Sequence, residues 1–139
     1  MSGRGLLRAT LAAVAVANAV TGLTALLAPR AFYQDFPFGR GWLAQLPPFN
    51  EHLATDVGAS YLAFAVLLGW AAYTLERALV LPLCAAWTVF CSAHLAFHVA
   101  HLDGMSGIDR AVQTAGLVAV LAPGVVALAV RRRSPASSR

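Results

Sequence analysis

The sequence contains four long apolar segments, and they constrain its fold more than any other feature. They span residues 6–28, 53–73, 78–100 and 108–130. Each is close to the ~20 residues that a helix needs to cross a hydrocarbon core about 30 Å thick. Only 12% of the residues are charged and 59% are hydrophobic, whereas soluble domains carry roughly 25% charged residues. We therefore predict an all-α membrane protein, a bundle of four transmembrane helices.

These segments define one predicted domain over 1–130, with helices at about 6–28, 51–74, 78–101 and 107–130 and a basic tail over 131–139. Arg4 and Arg8 precede the first segment as they would in a secretory signal. However, its apolar run of about 22 residues exceeds the roughly 7–15 of a signal, and Pro29 follows the only plausible cleavage point. The segment is therefore predicted to remain as helix 1.

The distribution of arginine predicts that both termini are cytoplasmic. With the N-terminus inside, the inner side carries Arg4, Arg8, Arg77, Arg131, Arg132, Arg133 and Arg139, and the outer side only Arg30, Arg40 and Arg110. This asymmetry follows the positive-inside rule. The high pI then reflects arginines that face anionic lipid, so the bilayer is the expected partner and nucleic acid is not. The lysine-free, arginine-rich composition favours a GC-rich bacterium, and hence a multi-pass protein of the bacterial cytoplasmic (inner) membrane.

The loop over 29–50 is unusually aromatic. Its rings are Phe32, Tyr33, Phe36, Phe38, Trp42 and Phe49. Aromatic side chains favour the headgroup level of a bilayer, so one interpretation is an interfacial belt or short in-plane helix on the outer leaflet. The other interpretation is a lid over the space between the helices.

Several local features have simple structural interpretations. Asn50 is expected to cap helix 2, and the pair Ser106 and Asp109 to cap helix 4. Pro123 and Gly124 predict a kink in helix 4. Asn18, in the middle of helix 1, is expected to make an interhelical hydrogen bond. Cys84 and Cys91 are too far apart along one helix for a disulfide.

Three histidines near the end of helix 3 form the most distinctive pattern. His94, His98 and His101 are spaced so that their side chains share one face of a helix. At the same spacing this face continues backwards through Cys84, Trp87 and Cys91. Polar side chains in a bilayer turn away from lipid. The stripe is therefore predicted to face the interior of the bundle.

The other helices also carry polar or small residues at a comparable depth. The expected inward faces are His52, Thr55, Asp56, Ala59, Ser60 and Ala63 on helix 2, Asn18, Thr21, Gly22 and Ala25 on helix 1, and Asp109, Gln113 and Gly116 on helix 4. Small residues let another helix backbone approach closely. Together these faces predict a polar compartment in the outer half of the bundle.

One hypothesis is that this compartment binds a metal ion or haem. Imidazoles four residues apart on a helix can bind one ion, and a neighbouring helix can complete the site. The predicted metal ligands are His52, Asp56, His94, His98 and His101, and zinc, copper and iron are all acceptable. Haem b would take axial histidines from His52 on helix 2 and from His94 or His98 on helix 3. Redox or Lewis-acid chemistry on a small or lipophilic substrate would then involve Glu51 as general base, with Asp56 and His98.

Three other interpretations use the same residues. The histidines and carboxylates can form a structural network that holds the bundle together. They can instead line a pocket that binds a lipid, an isoprenoid or a quinone, with or without acid–base catalysis. Finally, the polar faces can meet a membrane partner subunit or a second copy of the chain, as in a non-enzymatic accessory subunit.

The stretches APRAFYQDFP, PPFNEHLATDVGASYLAFAVLL and HLAFHVAHLDGM resemble a group of small four-helix bacterial membrane proteins, loosely DoxX-like. The resemblance covers nearly the whole chain. Its anchors are Pro29, Phe32, Tyr33, Phe36, Pro37, Asn50, Glu51, His52, Asp56, Gly58, His94, His98, His101 and Leu102. It implies the four-helix architecture and a redox or accessory membrane role linked to quinones. No catalytic motif of that family can be carried over to residues of this chain.

Overall fold

The computed structural model describes residues 2–46 and 48–133, with side chains described as far as Val130. Its α-helices are α1 (Gly3–Leu27), α2 (Pro29–Asp35), α3 (Glu51–Thr74), α4 (Arg77–Ala100), α5 (Gly107–Ala119) and α6 (Ala122–Arg133), with a 3-10 turn at Leu43–Gln45. The described part contains no strand. The predicted tail beyond Arg133 lies outside the described residues.

Four helical spans are long and apolar enough to cross a membrane, which confirms the predicted fold class. They are Gly3–Leu27, Glu51–Thr74, Arg77–Ala100 and Gly107–Val130, the last formed by α5 and α6 together. We call the end of the bundle that carries α2 and the α4–α5 turn the loop end, and the opposite end the terminal end.

Helices α3 and α5 begin at residues whose side chains cap them. The Asn50 side chain accepts a hydrogen bond from the Leu53 backbone N–H at 3.0 Å, and the Ser106 hydroxyl accepts one from Asp109 N–H at 3.2 Å. Such caps satisfy N–H groups that have no partner within the helix. Both predicted caps are therefore confirmed.

The fourth span is broken at Val120 and Leu121, just before the predicted kink site. Pro123 cannot donate a backbone hydrogen bond, so the ladder cannot continue through it. After the proline, the Gly124 N–H bonds to the Leu121 carbonyl at 3.1 Å, so the Val120 carbonyl loses its usual partner. It accepts a hydrogen bond from the Trp87 indole N–H at 2.7 Å. Gly124 lets α6 approach α4, because a Cβ atom there would overlap the Thr88 hydroxyl. Neighbouring side chains thus satisfy the backbone that the break releases.

Helices α1 and α3 form the closest pair, and glycine allows their approach. A Cβ atom at Gly58 would lie 2.7 Å from the Leu26 backbone nitrogen, and one at Gly22 would lie 2.9 Å from the Gly58 carbonyl oxygen. Ala25, beside this crossing, is completely buried. The two backbones therefore touch directly, as small residues permit in membranes.

The apolar core occupies the terminal half of the bundle. Its buried members include Leu11, Leu68, Leu83 and Ala127. There α6 packs against both α1 and α4, whereas α3 meets α4 mainly through large aromatic rings, with Phe64 against Trp87 and Phe90. The helices therefore share a packed core towards the terminal end. Towards the loop end α1 and α3 stay in contact at Gly22 and Gly58, and a space opens between this pair and α4 with α5.

Apolar side chains also cover the outside of the bundle. Val20, Val66, Val89, Val125 and Leu128 are among the large hydrophobic residues that are more than half exposed. A soluble domain rarely exposes so continuous an apolar surface. This girdle matches what a lipid-facing surface requires.

The prediction for the inward face of α3 is wrong. Ala59, Ser60 and Ala63 are exposed, and the face that packs inside the bundle contains Gly58 and Leu68. In lipid the surroundings are as apolar as the interior, so the sequence pattern separates the two faces poorly.

Candidate functional site

A cavity of about 620 Å³ lies between the helices in the loop half of the bundle. Residues of α1, α3, α4 and α5 form its walls, among them Thr21, Val57, Tyr61, Phe90 and Leu117. Trp87, which bonds to the broken span, also belongs to the lining. The volume is within the ~300–1,000 Å³ typical of small-molecule sites.

The aromatic loop forms one wall of this cavity. Its lining includes Phe32 from α2, Phe36 directly after α2, Leu43 from the 3-10 turn, and Phe49. Tyr33 Oη donates a hydrogen bond to the Leu46 carbonyl oxygen at 3.2 Å. This segment therefore covers one side of the cavity, and we call it the lid for its position alone. The Phe38 ring is exposed.

Asp109 at the start of α5 joins the loop to the bundle. One carboxylate oxygen accepts hydrogen bonds from Arg40 Nη1 at 2.6 Å and from Trp42 Nε1 at 2.9 Å. The other oxygen accepts a hydrogen bond from the Ser106 hydroxyl at 2.6 Å. We call this set of four residues the Asp109 latch. Because Trp42 also lines the cavity, the latch holds one cavity residue in place.

The histidine stripe of α4 faces the cavity, as predicted, at two of its three positions. His94 is half-buried and His98 is 7% exposed, and their ring centroids lie 4.6 Å apart. The His94 ring stacks on Phe90 at 5.7 Å. Gln113 from α5 interacts with the His98 side chain. This places two imidazoles beside an amide in an otherwise apolar wall.

Asn18 contributes a second buried amide to the lining. It is 2% exposed, and its Nδ2 donates a hydrogen bond to the Val14 carbonyl oxygen at 2.8 Å. The predicted interhelical bond is thus replaced by a bond within α1. Its Oδ1 has no hydrogen-bond partner among the described residues.

The structure does not bring the predicted partners on α3 to the histidines of α4. His52 and Asp56 pair with each other at 3.3 Å, their side chains are 87% and 61% exposed, and neither lines the cavity. Glu51 is also exposed and outside the lining. All three lie in the first two turns of α3, where side chains can reach the headgroup level without facing inward.

His101 also departs from the predicted compartment. It is exposed, its Nδ1 lies 2.7 Å from the Phe97 carbonyl oxygen, and its ring stacks on Phe97. Within residues 2–46 and 48–133, no group of three or more His, Cys, Asp or Glu side chains is placed to hold a metal ion. Cys84 and Cys91 are buried free thiols, as expected.

Sequence reasoning missed several residues that shape the site. Tyr61 and Phe90 are aromatic residues within apolar spans, so nothing in the sequence marks them as part of a site. The sequence also does not indicate that Arg40 pairs with Asp109 on α5. The one sequence feature that suggested a lid was the large number of aromatic residues in the 29–50 loop.

No family model, curated protein or solved structure matches this chain. Its resemblance to DoxX-like proteins therefore stays a prediction, and the functional conclusion depends on the cavity.

Proposed function

We propose that this chain is a multi-pass protein of the bacterial cytoplasmic membrane that binds a lipophilic molecule in the cavity between α1, α3, α4 and α5. The observation that carries this proposal is the composition of the cavity wall. Aromatic and aliphatic side chains form most of it, and Asn18, His94, His98 and Gln113 supply buried or half-buried polar groups. A largely apolar pocket with a few polar groups is the usual form of a small-molecule site.

The position of the cavity supports a ligand that comes from the membrane. An apolar girdle surrounds the bundle, so the compounds most concentrated around it are lipids and molecules dissolved in lipid. The lid separates the polar groups from the loop end. A lipid, an isoprenoid or a quinone has the required apolar body and polar head.

A matched pair of substitutions on α3 tests the proposal. Val57 lines the cavity, whereas Val66 is 72% exposed on the same helix. In detergent-purified protein, Val57→Phe should weaken binding of an alkylarene with a bromine-tipped tail by about tenfold, because overfilling a packed site is costly. Val66→Phe should leave binding unchanged.

Binding is measured by bromine quenching of Trp42 and Trp87 fluorescence in a Trp70→Phe background, since Trp70 is an exposed indole outside the lining. Mass spectrometry of lipids that co-purify with both variants provides the second readout. Equal binding by both variants, or no saturable binding by the parent protein, would contradict the proposal.

Metal or haem binding stays a prediction from the spacing of His94 and His98. The cavity offers these two imidazoles, but His52 and Asp56 lie outside its lining. Elemental analysis and the visible spectrum of protein purified without chelators test it. Stoichiometric metal that is lost on His98→Gln would support the metal-centred hypothesis.

A role as an accessory subunit is a second candidate, favoured by the exposed face of α3. Ala59, Ser60 and Ala63 present small side chains to the surroundings, and such faces suit close helix contacts. The candidate predicts that Ala63→Trp abolishes a higher-order species in crosslinking experiments while the cavity still binds its probe.

A further inference from the structure

The buried amides of the cavity indicate what kind of polar head a ligand needs. Asn18 Nδ2 is already engaged by the Val14 carbonyl, and exchanging the amide oxygen and nitrogen would set two oxygens against each other. The orientation of this side chain is therefore fixed. Its free Oδ1 is an acceptor that requires a donor.

Gln113 on α5 adds a second buried amide oxygen to the cavity lining. It is 5% exposed, and its Oε1 makes no hydrogen bond of normal geometry within the described chain, although the side chain lies beside His98. Buried polar atoms are nearly always paired in folded proteins, because an unpaired one loses its bond to water without replacement. The His98 imidazole beside Gln113 can supply the donor for Oε1, whereas Asn18 Oδ1 has no donor among the described residues. Asn18 Oδ1 is therefore the acceptor that points to a donor from outside the chain.

The charge of the lining further restricts which donor group a ligand can carry. None of the described residues that line the cavity carries a carboxylate, an ammonium or a guanidinium group. A charged amine head would therefore enter a largely apolar site without a counter-ion, which is strongly unfavourable. A neutral hydroxyl donates one hydrogen bond and carries no charge.

We infer that the cavity selects a lipophilic alcohol or phenol over the corresponding ether, ketone or hydrocarbon, with Asn18 Oδ1 accepting the hydroxyl hydrogen. This inference depends on the proposed binding function and specifies its ligand. The aromatic lining, with Phe90, Tyr61 and Trp87, suits a ring next to that hydroxyl, so an alkylphenol is the closest simple probe.

The test compares two probes on two proteins. The probes are an alkylphenol whose decyl tail ends in bromine and its methyl ether, which has the same body but no donor. The proteins are the full chain and its Asn18→Leu variant, both in the Trp70→Phe background. Affinity is measured by quenching of the cavity tryptophans in detergent.

In the parent protein the phenol should bind about tenfold more tightly than the ether after correction for their partition into micelles. In Asn18→Leu this preference should disappear while the ether still binds. Partition of the probes into micelles affects both proteins equally, because both are measured in the same detergent. The change in phenol preference between the parent protein and Asn18→Leu is therefore independent of partition.

Each outcome has a defined meaning. If neither probe binds the parent protein, the proposed function fails. If both probes bind and Asn18→Leu leaves the preference for the phenol unchanged, the proposed function survives and this inference fails. The inference also fails if the parent protein shows no preference, as expected when a resident water already occupies Asn18 Oδ1. Should Asn18→Leu not fold, the same comparison with the smaller Asn18→Ala variant decides the question.

Discussion

At the scale of single residues, glycine determines how closely the helices pack. The crossing of α1 and α3 leaves no room for a Cβ atom at Gly58, whereas nothing lies within 4 Å of a Cβ built at Gly69 on the same helix. Two glycines in one helix therefore have different roles. One permits contact, and the other only lowers helix propensity.

Gly58→Ala should consequently destabilise the protein by about 1–3 kcal/mol, the usual cost of overpacking. Gly69→Ala should preserve stability or raise it by up to about 1 kcal/mol through helix propensity. Thermal unfolding in one detergent compares the two variants. A Gly58→Ala protein as stable as Gly69→Ala would show that the backbones do not touch there.

The two classes of histidine should also respond differently to substitution. His98→Gln should weaken binding of the phenol probe by roughly 5- to 10-fold, since the buried ring contributes to the polar part of the cavity. His52→Gln should leave it unchanged, because His52 is exposed and outside the lining. Equal losses in both variants would instead favour a site shared between α3 and α4.

The inward stripe of α4 could be predicted from sequence, because five of its members are polar or polarisable and recur at helical spacing. The free Asn18 oxygen could not be predicted. Its partner depends on whether a side chain bends back to its own helix or crosses to the next, and the sequence carries no information on that choice.

At the scale of elements, the Asp109 latch should control how firmly the lid is held. Removing the carboxylate in Asp109→Ala eliminates the bonds from Arg40 and Trp42. We expect amide hydrogen exchange over residues 37–46 to accelerate by roughly two- to fivefold, the range for an exposed ion pair.

Asp103→Ala is the control for the latch, because Asp103 is an exposed acid in the neighbouring turn with no ion pair to any residue that the structure describes. Similar exchange rates in both variants would contradict a restraining role for Asp109. Faster release of the bromine-tipped probe in Asp109→Ala alone would connect the latch to the cavity.

The ends of the four spans were predictable to within three residues. Runs of apolar residues long enough for a bilayer, with Asn50 and Ser106 at their starts, define where helices begin irrespective of packing. The break at Val120 and Leu121 was predicted only approximately from Pro123, since the interruption occurs in the residues that lose their regular bonding partners before the proline.

At the scale of the whole molecule, the arginine distribution predicts an orientation that labelling can test. In a background with Cys84 and Cys91 replaced by alanine, Asp103→Cys should react with an impermeant maleimide added to intact cells. Glu76→Cys should react only after the membrane is opened. The reverse pattern would place both termini outside.

The location of the cavity could be predicted only in outline. Polar residues at similar depths on several helices indicated the correct half of the bundle. Which of them face each other depends on helix rotation, and uniform apolar surroundings do not fix rotation from sequence. The carboxylates of α3 were therefore assigned to the interior although they lie outside.

The packed core below Trp87 has a consequence for transport. Leu11, Leu68 and Leu83 fill the centre of the bundle with buried apolar side chains. Within the part of the chain that the structure describes, this core separates the cavity from the terminal end. If the cavity binds a ligand as proposed, we expect that ligand to enter and leave on the loop side of this core, so the chain would hold it on one side of the bundle and not conduct it across.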